Sequence, residues 1–299
     1  MPTLRAELAL PQKGASRRAF DAASGTFANA SVVHDLARGR LLDRLELVRI
    51  DPALAVDLGS ATGAGARELA QRFPSATVVA IDPSLPMLRA LQHDAAACSR
   101  VVAVAGEAER MPFRSSSVGL VLANLVLPWS VPRDFFGETA RVLEPGGLLL
   151  FATLGPDSLA EVRRAWAAAD DRIHVHAFFD MHDLGDAAVS AGLAEPVVDV
   201  ERIALTYTDI ASFVRDLRAC AATNTAAGRR QGLTGKERWR RFEAALLAQR
   251  SGSRFAITIE LVFGQAWGRV GGAPSRSAPR EASIPVERLR GSRKSVSRE

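Results

Sequence analysis

Ala55-Val56-Asp57-Leu58-Gly59-Ser60-Ala61-Thr62-Gly63, followed by Val78-Val79-Ala80-Ile81-Asp82, decides the fold of this chain. The pattern reads as a buried strand, a glycine turn, a helix over Ala64–Phe73 stopped by Pro74, and a second strand with an acid at its C-terminal end. In open α/β sheets, ligands sit at the C-terminal strand ends, over a helix N-terminus. Asp82, 19 residues after Gly63, is spaced to meet the two hydroxyls of a ribose, which suits an adenosine cofactor.

The turn also narrows the cofactor. A dinucleotide fingerprint needs G-x-G-x-x-G so that backbone can approach a pyrophosphate. Here Ala61 stands between Gly59 and Gly63, and the acid Asp57 precedes them. An acid there repels pyrophosphate but suits a ligand carrying an ammonium and a sulfonium. The D-x-G-x-x-x-G pattern resembles the first motif of class I S-adenosylmethionine-dependent methyltransferases. An ordinary strand-to-helix turn in a dinucleotide fold is the alternative on the loop alone.

Outward from this core, strands and helices alternate, as in a doubly wound, mostly parallel α/β sheet. Further strands are expected at Arg100–Ala105, Val118–Asn124, Gly147–Thr153, Pro196–Tyr207 and Ser253–Trp267, with Ala53–Leu58 and Thr77–Asp82 completing seven. Helices are expected at Arg17–Leu47 with a break near Gly25, at Pro132–Val142, and over 156–170, 180–192 and 208–249, the last broken from Gly228 to Gly235. This predicts a flexible segment 1–16, a methyltransferase domain 17–268 with a helical cap from 17–47, 156–192 and 208–249, and a disordered basic tail 269–299.

Composition excludes several classes. The chain has 299 residues, 47% of them hydrophobic, and a net charge of +5. Residues 269–299 hold eight of the 38 Lys/Arg and three of the 33 Asp/Glu, leaving thirty of each sign in the body. The body is neutral, so the charge does not indicate a nucleic-acid partner. No apolar run reaches the ~18 residues of a membrane helix. Ser16-Arg17-Arg18-Ala19-Phe20 precedes Asp21, Ser24, Gly25 and Asn29 rather than an apolar export segment. Cys98 and Cys220 lack metal-ligand spacing, no metal site is expected, and a reduced cytoplasmic protein is.

Gly106-Glu107-Ala108-Glu109-Arg110-Met111-Pro112-Phe113 resembles the G-D-A-x-x-L-P-F segment of the same methyltransferase superfamily, which implies that Glu107 takes the adenine amino group. Asn124, ending the fourth strand, is expected to face the methionine part of the cofactor, and Trp129 to wall the pocket. N-P-P-Y is absent, as is a Cys nucleophile near Pro128, which argues against the usual N6-adenine and C5-pyrimidine methyltransferases.

A closer resemblance rests on Arg17-Arg18-Ala19-Phe20-Asp21-Ala22-Ala23, Phe151-Ala152-Thr153-Leu154-Gly155-Pro156-Asp157-Ser158-Leu159, Asp180-Met181-His182-Asp183-Leu184-Gly185-Asp186 and Asn224-Thr225-Ala226-Ala227-Gly228-Arg229-Arg230. These resemble the malonyl-acyl-carrier-protein O-methyltransferases of biotin synthesis over roughly residues 17–268. The resemblance implies methyl transfer from S-adenosylmethionine to the free carboxyl of malonyl-acyl-carrier protein. Such a carboxylate is already ionised, its model acid titrating near ~4, so no catalytic base is singled out. None of His34, His93, His174, His176 and His182 is assigned a catalytic role. Three positions depart from the family pattern: Ala61 where a Gly is usual, Phe27 for Tyr in the closing N-terminal region, and Pro128 for Gln. The basic cluster that includes Arg229 and Arg230 is the candidate face for an acidic carrier. Two other functions remain open: a methyltransferase on a small lipid-like or quinone acceptor, and a cofactor- or carrier-binding protein without transfer activity.

Overall fold

The computed structural model describes residues 10–94 and 100–269. The first nine residues, Cys98 and nearly all of the expected tail 269–299 lie outside them. Seven strands form one sheet in the order β3-β2-β1-β4-β5-β7-β6. They are β1 Leu54–Leu58, β2 Thr77–Asp82, β3 Val101–Ala105, β4 Val118–Asn124, β5 Leu143–Leu154, β6 Ala194–Tyr207 and β7 Phe255–Trp267. The first five pair in parallel, and β7 runs antiparallel between β5 and β6.

The central strands read as unbroken apolar runs because both of their faces are covered. Side chains alternate between two cores. Ala55, Val78, Leu120 and Leu148 face one, and Val56, Val79, Val121 and Leu149 face the other. The first core is closed by α3 Val32–Leu45, α4 Ala64–Arg72, α7 Ala160–Ala167, α9 Ile210–Ala219 and α10 Lys236–Leu247. The second is closed by α6 Pro132–Val142 and α8 Met181–Ser190. Two more helices, α1 Lys13–Ala23 and α2 Phe27–Ala30, precede α3, and α5 Leu85–Asp94 follows β2. No helix among the described residues is long and apolar enough to cross a membrane.

Several boundaries differ from the sequence reading for local reasons. The first helix begins at Lys13 rather than Arg17, so residues 10–16 are held and not loose. Gln12 N–H donates to the Thr225 carbonyl at 2.8 Å, and Ala227 N–H donates to Leu10 at 2.9 Å. The chain breaks around Gly25 as expected. The fifth strand starts at Leu143, because Leu143 already pairs with Val118 and the Pro145-Gly146 segment becomes a register shift inside the strand. The gap between α9 and α10 spans residues 220–235, far wider than Gly228–Gly235. Asn224 organises it, donating from Nδ2 to the Ile173 carbonyl at 2.7 Å and accepting the Ala226 amide at 3.0 Å. Asp180 caps α8 by accepting the His182 amide at 2.8 Å, and the exposed His182 ring bonds the same carboxylate.

In β7, Gly264 lies directly against the buried Phe151 ring, and a Cβ there meets its Cζ and Cε atoms. Gly264→Ala is therefore expected to destabilise the protein by about 1–3 kcal/mol, the scale for overpacking a filled core. Denaturant unfolding checks this, and an unchanged midpoint contradicts it.

Candidate active site

The loop after β1 is built from left-handed backbone. Gly59 has φ +69°, Ala61 +45° and Gly63 +81°. Gly59 and Ser60 donate their amides to the Ile81 carbonyl at 2.8 and 2.9 Å, which bends the chain over the end of β2. Ala61 N–H then donates to Asp82 Oδ2 at 2.9 Å, while Asp82 Oδ1 accepts the Ser84 amide at 2.8 Å. Burial raises the Asp82 pKa to about 6 against these two amides. Asp57 lies beneath the start of α4, so close that a Cβ on Gly65 stands 2.9 Å from both carboxylate oxygens. Burial pushes Asp57 up to about 7, opposed by the Ala66 amide and by Arg38. Its Oδ2 is buried and has no hydrogen-bond partner among the described residues.

These groups open into a cavity of about 330 Å³. Of the residues expected to hold a cofactor, Asp57, Gly59, Ala61, Asp82, Glu107 and Asn124 line it. Gly63 does not; its positive φ makes it the residue that starts α4. Glu107 is partly exposed and pairs with Lys13 Nζ at 3.4 Å, which also meets Glu109 at 2.7 Å. Asn124 donates from Nδ2 to the His34 carbonyl at 2.9 Å, tying β4 to the N-terminal helices, and its Oδ1 is buried without a partner. Phe27 is buried at the cavity wall with its ring 4.9 Å from the His34 ring centroid.

A second cavity of about 570 Å³, mostly apolar, adjoins the first. Its walls come from β6, β7, α7, α9 and α10, with Trp166, Trp239 and Phe242 packed together on one side. His34, Leu125 and Trp129 line both cavities. The Trp129 ring is held edge-on between Phe20 at 5.2 Å and His176 at 5.1 Å. His176 is buried, accepts the Thr225 amide at 2.9 Å, and has its pKa lowered to about 4 by burial and by Arg229. Arg229 and Arg230 line neither cavity. Arg229 donates to Gln12 Oε1 at 2.7 Å and to the Ala226 carbonyl at 3.0 Å, and Arg230 Nε donates to the Leu233 carbonyl at 3.2 Å. Both form bonds that tie down the 220–235 segment, and Arg230 remains exposed.

Residues 56–151 match the methyltransferase domain family. A crystal structure of the YcgJ protein from Bacillus subtilis superposes with a TM-score of 0.55 at 16% identity, covering 77% of this chain and 98% of that one, and shares the fold. Malonyl-[acyl-carrier protein] O-methyltransferase of Laribacter hongkongensis is 42% identical over 264 residues, 85% of this chain and 89% of the relative. The enzyme of the same name from Gallionella capsiferriformans is 39% identical, covering 85% and 90%. This chain belongs to the malonyl-[acyl-carrier protein] O-methyltransferase family.

Sequence reasoning passed over three residues that line these cavities, Lys13, His34 and His176. Lys13 was placed in a loose segment, though the amphipathic run from Lys13 carries the signal of a helix. His34 and His176 were left without roles, because nothing local marks a lone histidine that meets its neighbours only across the fold.

Ala61 carries a Cβ in left-handed backbone, which costs an L-residue roughly 1–2 kcal/mol. Ala61→Gly is expected to raise stability by about 1 kcal/mol without weakening cofactor binding, as thermal unfolding and calorimetry check. Because Asp57 and Asp82 protonate at about 7 and about 6, affinity for a cationic cofactor should strengthen as pH rises through those values. The charged form is the one that attracts the cation, so the loss lies on the acidic side. Titration calorimetry showing constant affinity over that window removes both carboxylates from the site.

Proposed function

We propose that this enzyme transfers the methyl group of S-adenosylmethionine to the free carboxyl of malonyl-acyl-carrier protein, forming the malonyl methyl ester that primes biotin precursor synthesis. The observation that carries this reading is the junction of a smaller cavity, which carries Asp57, Asp82 and Glu107, with a larger apolar one at His34, Leu125 and Trp129. The residues of the first cavity fit the cofactor. Asp57, with its partnerless Oδ2, is placed for a cation, Asp82 for ribose hydroxyls, Glu107 for an adenine amino group, and Asn124 Oδ1 for an ammonium donor.

When bound, the cofactor supplies an electrophilic methyl carbon, whose bond to sulfur breaks onto sulfur as a carboxylate oxygen bonds to it. The acceptor arrives ionised and no proton moves, so the chain's work is to align and partly desolvate the carboxylate. Trp129, its ring held between Phe20 and His176, gives the junction a fixed apolar wall. The cap formed by the N-terminal helices, residues 156–192 and residues 208–249 supplies the acceptor side. The names of the relatives support the carrier-borne substrate, and with it a cytoplasmic place of action. The size and apolar lining of the second cavity favour one other acceptor class, a lipid-like or quinone molecule.

Mass spectrometry of malonyl-acyl-carrier protein incubated with enzyme and cofactor should show the gain of one methyl. Methylation of a quinone or phenol with malonyl thioesters untouched contradicts the carboxyl reading. For the carrier itself, Arg218 lines the second cavity, is exposed, and has no ion pair or side-chain hydrogen bond among the described residues. Arg218→Glu should raise KM for the carrier-borne substrate several-fold with kcat retained, and the defect should shrink at high salt. A KM equal to the wild type's removes Arg218 from the docking face.

A further inference from the structure

We infer that His34 is the residue that holds the acceptor carboxylate, donating a ring N–H to it where the two cavities meet. The inference rests on the carboxyl-acceptor reading above. His34, Leu125 and Trp129 are the residues common to both cavities, so any group passing from one cavity to the other meets them. Leu125 brings no polar side chain, and its amide is spent on the Ala152 carbonyl at 2.9 Å. Trp129 offers a single indole N–H on a ring fixed by Phe20 and His176. His34 is the remaining group able to orient an oxygen anion.

Its surroundings fit that task. The backbone of His34 is anchored by Asn124, which donates to its carbonyl at 2.9 Å. The ring is steadied edge-on by Phe27 at 4.9 Å between centroids. Its ring nitrogens have no hydrogen-bond partner among the described residues, and the ring lines both cavities. The ring is half-exposed to the cavities yet packed closely enough elsewhere that burial lowers its pKa to about 4, with Arg38 adding to the fall and Asp35 opposing it. At neutral pH it is an uncharged donor.

An uncharged donor suits this position better than a cation. An arginine here would repel a sulfonium and would hold the carboxylate in so strong an ion pair that its oxygen loses nucleophilicity. A neutral imidazole orients the carboxylate by one directional bond and leaves its charge available. No proton is transferred in the step, and the imidazole begins and ends it neutral.

The test compares full-length wild type, His34→Leu, His34→Gln and Trp129→Phe on malonyl-acyl-carrier protein, together with the affinity of each for S-adenosylhomocysteine. His34→Leu should lower kcat at least about tenfold, the scale of one hydrogen bond to a charged group. Its affinity for S-adenosylhomocysteine should stay within about twofold of wild type, and His34→Gln, which keeps an N–H donor, should recover most of the rate. In wild-type protein labelled with ¹⁵N-histidine and saturated with S-adenosylhomocysteine, malonyl-pantetheine should shift the His34 ring resonance, identified by its absence in His34→Gln. This readout holds even where the leucine variant fails to fold. Wild-type turnover by His34→Leu, an unmoved ring resonance, a matching loss of S-adenosylhomocysteine affinity, or a rate loss confined to Trp129→Phe each overturns the assignment while leaving the enzyme's function intact. Wild-type protein that leaves malonyl-acyl-carrier protein unmethylated overturns both.

Discussion

Two carboxylates withdrawn from water, Asp57 and Asp82, set the terms for everything around the site. They lie at the C-terminal ends of the neighbouring parallel strands β1 and β2. The strand order reverses on the other side of β1, between it and β4, the place where open α/β sheets bind ligands. Burying such groups is unfavourable unless donors face them. The left-handed turn from Gly59 to Gly63 meets that need by aiming the Ala61 amide at Asp82, and the first turn of α4 presents the Ala66 amide to Asp57. One oxygen of Asp57 remains without a partner among the described residues. An unsatisfied buried acceptor costs about 1–3 kcal/mol, and a bound cation offsets it.

The acceptor side is organised by a different means. The segment between α9 and α10 has little regular structure, yet it joins three distant parts of the chain. Ser16 Oγ and Thr225 Oγ1 lie 2.9 Å apart although 209 residues separate them in sequence. Thr26 Oγ1 donates to the Ala219 carbonyl at 2.9 Å, and Thr225 also meets His176, which braces Trp129. Residues of the N-terminal helices therefore line both the first cavity and the second. Positions of Phe27, His34 and Trp129 depend on that joint anchorage more than on any single helix.

What the sequence disclosed follows from how local each signal is. Thr77–Asp82, Val118–Asn124 and Pro132–Val142 agree residue for residue with their elements, because doubly buried strands and a Pro-started helix carry their own patterns. The glycine turn was equally plain, and the departure at Ala61, where a Gly is usual, falls on a residue with φ of +45°. The hub at 220–235 was hidden, since it is defined by hydrogen bonds to residues far away in sequence, such as Gln12 and Ile173. Arg229 shows the limit most clearly. As a residue in a basic cluster it reads as a docking group, but its guanidinium already bonds Gln12 Oε1 and the Ala226 carbonyl. Net charge along a helix says nothing of which cations are already occupied.

The most direct test of two cavities meeting at one junction is a crystal structure of the protein with S-adenosylhomocysteine and malonyl-pantetheine together. The sulfur should lie in the cavity lined by Asp57 and Asp82. The malonyl carboxylate should enter from the cavity of Trp166 and Trp239 and approach that sulfur beside His34, Leu125 and Trp129. An acceptor seated outside the second cavity, or a carboxylate turned away from the sulfur, contradicts the two-cavity arrangement of donor and acceptor.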